Sequence, residues 1–183
     1  MGEATALEIR RLTEHDADAF FRLRLEGLER EPEAFTESAE EFRRAGIEHA
    51  ARNLAKSDNN NFVMGAFVDG ELAGLAGFYR HKQAKAAHNG TIWGVYVSHE
   101  HRKRGLGRAL LMETLRQAQS LPGIEQVLLA VSSTNIAAKR LYESLGFQTY
   151  GVKPRALKIG DMYVDKETMM LQFGAAGVEV RLE

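Results

Sequence analysis

The 183-residue sequence contains no cysteine. Disulfides, thiolate zinc sites and covalent acyl-cysteine intermediates are therefore excluded. Charge of either sign is not in excess, because 24 lysines and arginines face 25 aspartates and glutamates for a net charge of -1. Such balance gives no overall field to attract nucleic acid, so no nucleic-acid partner is expected. No apolar run approaches the roughly 20 residues of a membrane-crossing helix. The start, MGEATALEIRR, lacks the apolar segment of a secretory signal. These absences lead us to expect a cytoplasmic protein with no membrane partner. Internal repeats, low-complexity segments and linkers are also missing. With 44% hydrophobic residues, the expectation is a single domain over residues 1–183 with one core.

What is present is an ordered alternation of patterns. Ala6 to Leu12 alternates as a strand, with Thr13 placed to cap the helix after it. Ala17, Phe21, Leu25 and Leu28 recur at helical spacing until Pro32, and a second helix from near Thr36 carries Ala39, Phe42, Ala50 and Leu54 toward Lys56. The period then shortens. NFVMGAFV and ELAGLAGFYR read as strands joined by Asp69-Gly70, a tight hairpin pair. Small residues crowd the second strand (Ala73, Gly74, Ala76, Gly77), which either weakens it or lets something pack very close. A polar loop, His81 to Gly90, returns the chain to a strand at Thr91. The helix after Gly105 turns Leu106, Leu110, Leu111 and Leu115 inward and ends before Leu121 to Gly123. Ile124 to Val131 reads as a buried strand, Asn135 to Leu145 as a helix closed by Gly146, and Phe147 to Leu157 and Thr168 to Phe173 as the last strands. KIGDMYVDKE separates them. Strand–helix alternation in the second half implies an at least partly parallel sheet.

The chemistry concentrates in Thr91 to Leu115, where an apolar strand runs through a basic loop (Arg102, Lys103, Arg104, Arg108) into a helix opening on Gly105 and Gly107. Unpaired N–H groups at a helix start bind anions, and flanking arginines add charge-assisted bonds. Two phosphate motifs fail here. The Walker type needs Lys-Ser/Thr after its second glycine, where this chain has Arg108-Ala109. The dinucleotide type needs a third glycine, where this chain has Leu110. His99 and His101 flank Glu100 but lack a defined third ligand, so no metal is expected.

Val95-Tyr96-Val97 followed by Arg102-Lys103-Arg104-Gly105-Leu106-Gly107 and Ala109-Leu110-Leu111 resembles the acyl-CoA motif of the GNAT superfamily of N-acetyltransferases. A second stretch at the family's spacing follows: the strand Val127 to Val131, then Asn135-x-x-Ala138-x-x-x-Tyr142 and Leu145-Gly146-Phe147. The two motifs together cover about Thr91 to Tyr150. Gly151, Pro154, Arg155, Ala156, Leu157, Tyr163, Asp165 and Met169 also look like the end of bacterial members. The resemblance implies an α/β (α+β) fold. Its mixed central sheet would have about six or seven strands, splayed between the fourth and fifth and flanked by about four helices. It further implies acetyl-CoA as cosubstrate. Its pantetheine arm would lie on the backbone of Val95, Tyr96 and Val97, with the pyrophosphate on N–H groups from Arg102 to Arg108 and Asn135 near the arm or the reacting region. Tyr142 matches the family's thiolate-protonating general acid.

The implied reaction is direct attack of a primary amine on acetyl-CoA in a ternary complex. A lysine-like amine, pKa about 10.4, costs roughly 4.6 kcal/mol to deprotonate at pH 7, so a base or water chain is expected. Family members often supply a fourth-strand carboxylate, but Thr91-Ile92-Trp93-Gly94-Val95 has none. The base is therefore unassigned, with Glu41, His88 and Asp165 as candidates. The acceptor, a small-molecule amine or a peptide or protein amine, should meet the variable parts: Phe35, Glu41, Phe42, Arg80, His81, Lys82, His88, Trp93 and Tyr163 to Asp165. A homodimer is left open. The alternative is a non-catalytic acyl-CoA sensor, suggested by the missing strand carboxylate and opposed by Tyr142.

Overall fold

The computed structural model describes residues 6–174. Its elements in chain order are β1 (Leu7–Arg11), α1 (Ala17–Arg30), α2 (Ala39–Ala55), β2 (Asn61–Val68), β3 (Glu71–Arg80), β4 (Asn89–Val97), α3 (Leu106–Gln119), β5 (Gln126–Ser132), α4 (Ile136–Ser144), β6 (Gln148–Ile159) and β7 (Met162–Gln172). Seven strands form one sheet in the order β1-β2-β3-β4-β5-β7-β6.

Side-chain alternation along β2 explains the layers. Phe62, Met64 and Ala66 enter a core shared with Leu110, Leu111 and Leu115 of α3. Val63 and Phe67 face the opposite way, into a second core with Phe20, Leu23 and Leu28 of α1 and Phe42 and Leu54 of α2. The small residues of β3 serve close approach. A Cβ on Gly77 would overlap the Trp93 indole, and one on Gly74 would lie 3.3 Å from Leu110.

Only β4 and β5 run parallel among these strand pairs, and their pairing is short: Asn89 faces Gln126, Gly90 faces Val127 and Thr91 faces Leu128. Beyond Thr91 the two strands splay. A bulge accompanies the parting, because β4 places three residue steps between Trp93 and Tyr96 where β3 places two between Gly77 and Leu75. The extra residue turns both Trp93 and Tyr96 toward the α1 side. Gly94, at φ +65°, takes the left-handed backbone conformation there.

Three details differ from the sequence expectation. A 3-10 turn, Glu14–Asp16, stands between Thr13 and α1, so Thr13 borders that turn rather than the helix itself. Within α2, Gly46 breaks the helical backbone at φ 76°, ψ 171°, a kink that lets Phe42 and Ala50 face one core. The stretch KIGDMYVDKE is largely strand. β6 and β7 form a long hairpin turning at Gly160-Asp161, with Ile159 opposite Met162, and β7 inserts between β5 and β6 antiparallel to both. The partly parallel sheet is thus parallel at one junction.

Candidate active site

The splay is the origin of the site. Where β4 leaves β5, backbone that would otherwise pair across the sheet lines a cavity of about 670 Å³. One wall is β4 from Ile92 to Val97, and the other is Leu129 to Ser132 of β5 with Asn135, Ala138, Leu141 and Tyr142 from the start and face of α4. The basic loop and the start of α3 form the floor, and Glu31, Ala34 and Phe35, from the α1–α2 connection, form a roof.

The loop has the backbone that its glycines foretell. Lys103 and Gly105 both lie at positive φ, 61° and 77°, and the first helical bond of α3 runs from Ala109 N–H to Gly105 O at 3.0 Å. The N–H groups of Leu106, Gly107 and Arg108 therefore have no helical partner. Arg102 reaches across the cavity, its Nε donating to Val97 O at 3.0 Å and its Nη1 lying 2.6 Å from a Glu31 carboxylate oxygen. Arg108 donates to Ser144 Oγ at 3.1 Å. Tyr142 is 7% exposed and packs edge-on against Phe147. Burial, reinforced by the negative charge of Glu31, raises its pKa, so the hydroxyl holds its proton.

Most of the residues implied by the resemblance meet at this cavity: Val95, Tyr96, Val97, Arg102, Lys103, Gly105, Leu106, Gly107, Arg108, Asn135 and Tyr142 all line it. Arg104 is exposed and lies outside the lining. The Tyr96 ring is buried on the α1 side, where the hydroxyl donates to Glu26 at 2.9 Å, and burial followed by that bond raises its pKa. The Asn135 side-chain oxygen caps α4 by accepting from Ala138 N–H at 3.1 Å.

The three candidate bases are not brought to the cavity. Glu41 caps α2: its carboxylate accepts from Ser38 N–H at 2.9 Å and Ser38 Oγ at 2.8 Å, and these bonds hold its pKa below the ordinary value. His88 precedes β4, with Nε2 3.2 Å from the Asn89 side-chain nitrogen. The Asp165 carboxylate accepts from Arg155 N–H at 2.7 Å. His101 lines the cavity, its Nδ1 2.8 Å from Ser98 Oγ. Among the described residues, no three histidine, aspartate or glutamate side chains gather as a metal site, and no helix is long and apolar enough to cross a membrane.

Sequence reasoning missed what fixes the roof. Ser132 Oγ donates to Glu33 O, and Lys166 Nζ, on a residue 9% exposed, donates to Ala34 O at 3.1 Å. Burial lowers the Lys166 pKa. It also missed Arg24, buried on α1. Its place was legible, since Arg24 falls seven residues after Ala17 and four before Leu28, on the apolar face of the helix.

Residues 13–147 match the family model described as the acetyltransferase (GNAT) family. The chain belongs to that family. Among GNAT relatives, mycothiol acetyltransferase from Thermobispora bispora is 43% identical over 97 residues, covering 50% of this chain and 32% of that protein. The N-alpha-acetyltransferase RimI of Mycobacterium tuberculosis is 34% identical over 110 residues, covering 60% of this chain and 66% of that protein. The chain thus spans between about a third and two thirds of the length of these curated relatives. A Salmonella typhimurium structure solved with its cofactor acetyl-CoA has the same fold, with a TM-score of 0.74 at 24% identity over 95% of this chain and 98% of that one. The α/β GNAT fold, with seven strands and four α-helices among the described residues and a β4–β5 splay, is therefore what the sequence resemblance implied.

Proposed function

We propose that the protein transfers the acetyl group of acetyl-CoA to a primary amine by direct attack in a ternary complex. The observation that carries this reading is one cavity joining three features. These are free N–H groups at a helix start, an unpaired stretch of strand and a buried tyrosine hydroxyl group with a raised pKa. The acetyl-CoA complex of the Salmonella neighbour supports the choice of cosubstrate.

In this reading the pyrophosphate sits on the N–H groups of Leu106 to Arg108, and the pantetheine arm runs along β4 as an added strand would. Arg102 would exchange Glu31 for phosphate oxygens. The neutral amine nitrogen attacks the thioester carbon, and the charge that grows on the carbonyl oxygen is met by β4 main chain. The C–S bond then breaks, its electron pair leaves on sulfur, and Tyr142 passes a proton to that sulfur. The amine loses one proton before attack and one after, of which one replaces the Tyr142 proton and one enters solvent. Holding amine and thioester together supplies roughly 7–11 kcal/mol, more than the factor of about 10²–10⁴ expected from the acid. Glu41, His88 and Asp165 stand away from the cavity, and Glu31 is engaged by Arg102. In this reading water takes the deprotonation.

Acetyl-CoA with a panel of amines and peptides, followed by free-thiol release, tests the proposal. Turnover on at least one amine is expected. Tight acetyl-CoA binding with no turnover on any would make the protein a sensor instead.

A further inference from the structure

A second cavity, about 260 Å³, lies on the α1–α2 side of the sheet and shares Trp93 with the first. The Arg24 side chain lies in its wall, only 8% exposed, with Cζ 4.5 Å from the Phe35 ring centre and 5.7 Å from that of Trp93. Its one ion pair among the described residues is long: Nη2 stands 3.5 Å from a Glu37 oxygen, and Glu37 is itself 42% exposed. Nη1 is buried and has no hydrogen-bond partner among the described residues. Phe35 and Trp93, the two rings flanking the guanidinium, both line the cofactor cavity as well.

A buried guanidinium with idle N–H groups is costly unless something completes its hydrogen bonding. Nothing in the fold requires a charge at this position, which by helical spacing belongs to the apolar face of α1. Packing against Gly94 fixes its location further, because a Cβ there would fall 3.1 Å from Nη1. The guanidinium is thus held against the bulge of β4, on the α1 side of the sheet. Arginine forks match carboxylate geometry through two parallel bonds. The neighbouring Glu37 carboxylate would repel a simple anion but suits one that carries an ammonium group beside it.

Resting on the acetyltransferase reading above, we propose that this second cavity receives the acceptor and that Arg24 recognises a carboxylate on it. The substrate class is then a free amino acid or a close analogue, with Arg24 on the carboxylate and Glu37 beside the ammonium, and the amine facing the splay past Trp93. A protein N-terminus, whose amine has no carboxylate beside it, does not fit.

Matched pairs test this: free amino acids against their carboxamides, from alanine to methionine and glutamate, with tripeptides as a third arm, all read by thiol release. We expect kcat/KM to favour the acids by at least about tenfold, the scale of a charge-assisted pair. Arg24→Met should bring the ratio close to one, and Arg24→Lys should keep part of it. Acetyl-CoA affinity by calorimetry checks that each variant is folded. If Arg24→Met does not fold, the wild-type ratio and Arg24→Lys still decide. Carboxamides or tripeptides used as well as the acids, or a ratio unchanged in Arg24→Met, would overturn the proposal. So would acetyl-CoA binding with turnover of none of the pairs. Failure to bind acetyl-CoA at all would instead overturn the acetyltransferase reading.

Discussion

Tyr142→Phe separates chemistry from architecture more cleanly than any other substitution in this protein. The ring is buried and packs on Phe147 with centroids 6.0 Å apart at 64°, and phenylalanine keeps that contact intact. Stability should therefore change by no more than about 1 kcal/mol. On the proposed mechanism, what is lost is a proton donor. A positioned acid contributes about 10²–10⁴-fold, or roughly 2.7–5.4 kcal/mol of barrier. Under saturating amine, kcat should fall within that range while acetyl-CoA affinity, read by calorimetry, stays within about twofold. The pH profile adds a second reading. Because burial and Glu31 both raise the Tyr142 pKa, its proton remains available throughout the assay range. Activity should rise from pH 7 to 9, by up to about tenfold per unit for a lysine-like amine with pKa about 10.4, with no alkaline decline from this tyrosine. Full kcat in Tyr142→Phe would remove it from the reaction.

Three further outcomes follow from the geometry. Gly107→Val should weaken acetyl-CoA binding by tenfold or more, on the order of 1.4 kcal/mol. A Cβ there already lies 3.4 Å from Leu141 and 3.6 Å from Val97, so the added methyl groups crowd the cofactor floor; unaltered affinity by calorimetry would misplace the pyrophosphate. Gly77→Ala forces Trp93 aside, which should cost about 1–3 kcal/mol in urea unfolding and raise the acceptor KM; a wild-type midpoint and KM would show that the indole moves freely. Asp16, 11% exposed beside Arg10, has its pKa lowered from 3.8 to about 2, chiefly by the Arg10 hydrogen bonds. That lowering corresponds to about 2.4 kcal/mol, which screening at the 38% exposed Arg10 reduces to about 1 kcal/mol. A depressed acid stabilises above its unfolded pKa, so Asp16→Asn should lose this at pH 7 and match wild type as pH falls through 2. A penalty that persists at pH 2 would refute the linkage.

The residues that meet at the first cavity were legible because backbone constraints write themselves into residue identity. Gly105 must take positive φ, Asn135 must cap, and the apolar run Val127 to Val131 must lie in a sheet. The β6–β7 hairpin was less legible, since its turn at Gly160-Asp161 falls among polar residues with no apolar alternation on the outer strand. The second cavity and the roof were less legible for another reason. Arg24 could have been read from its place on the apolar face of α1, whereas Lys166 owes its bond to Ala34 to packing between segments far apart in sequence. Glu41 shows the converse: an acidic residue near the right loop turned out to be a helix cap.

The roof over the splay has one more implication. Glu31, Glu33 and Ala34 are moored to the basic loop, to β5 and to β7 by Arg102, Ser132 and Lys166 respectively. If each tie contributes about 1 kcal/mol, lifting the whole segment costs about 3 kcal/mol and is achieved by roughly one molecule in 160 at equilibrium. Exchange of small molecules through that opening would then be metered in part by Lys166, a residue that does not line the cavity. Lys166 lies on a strand that belongs to neither wall of the cavity, so loosening it should quicken traffic and leave the bond-making step alone.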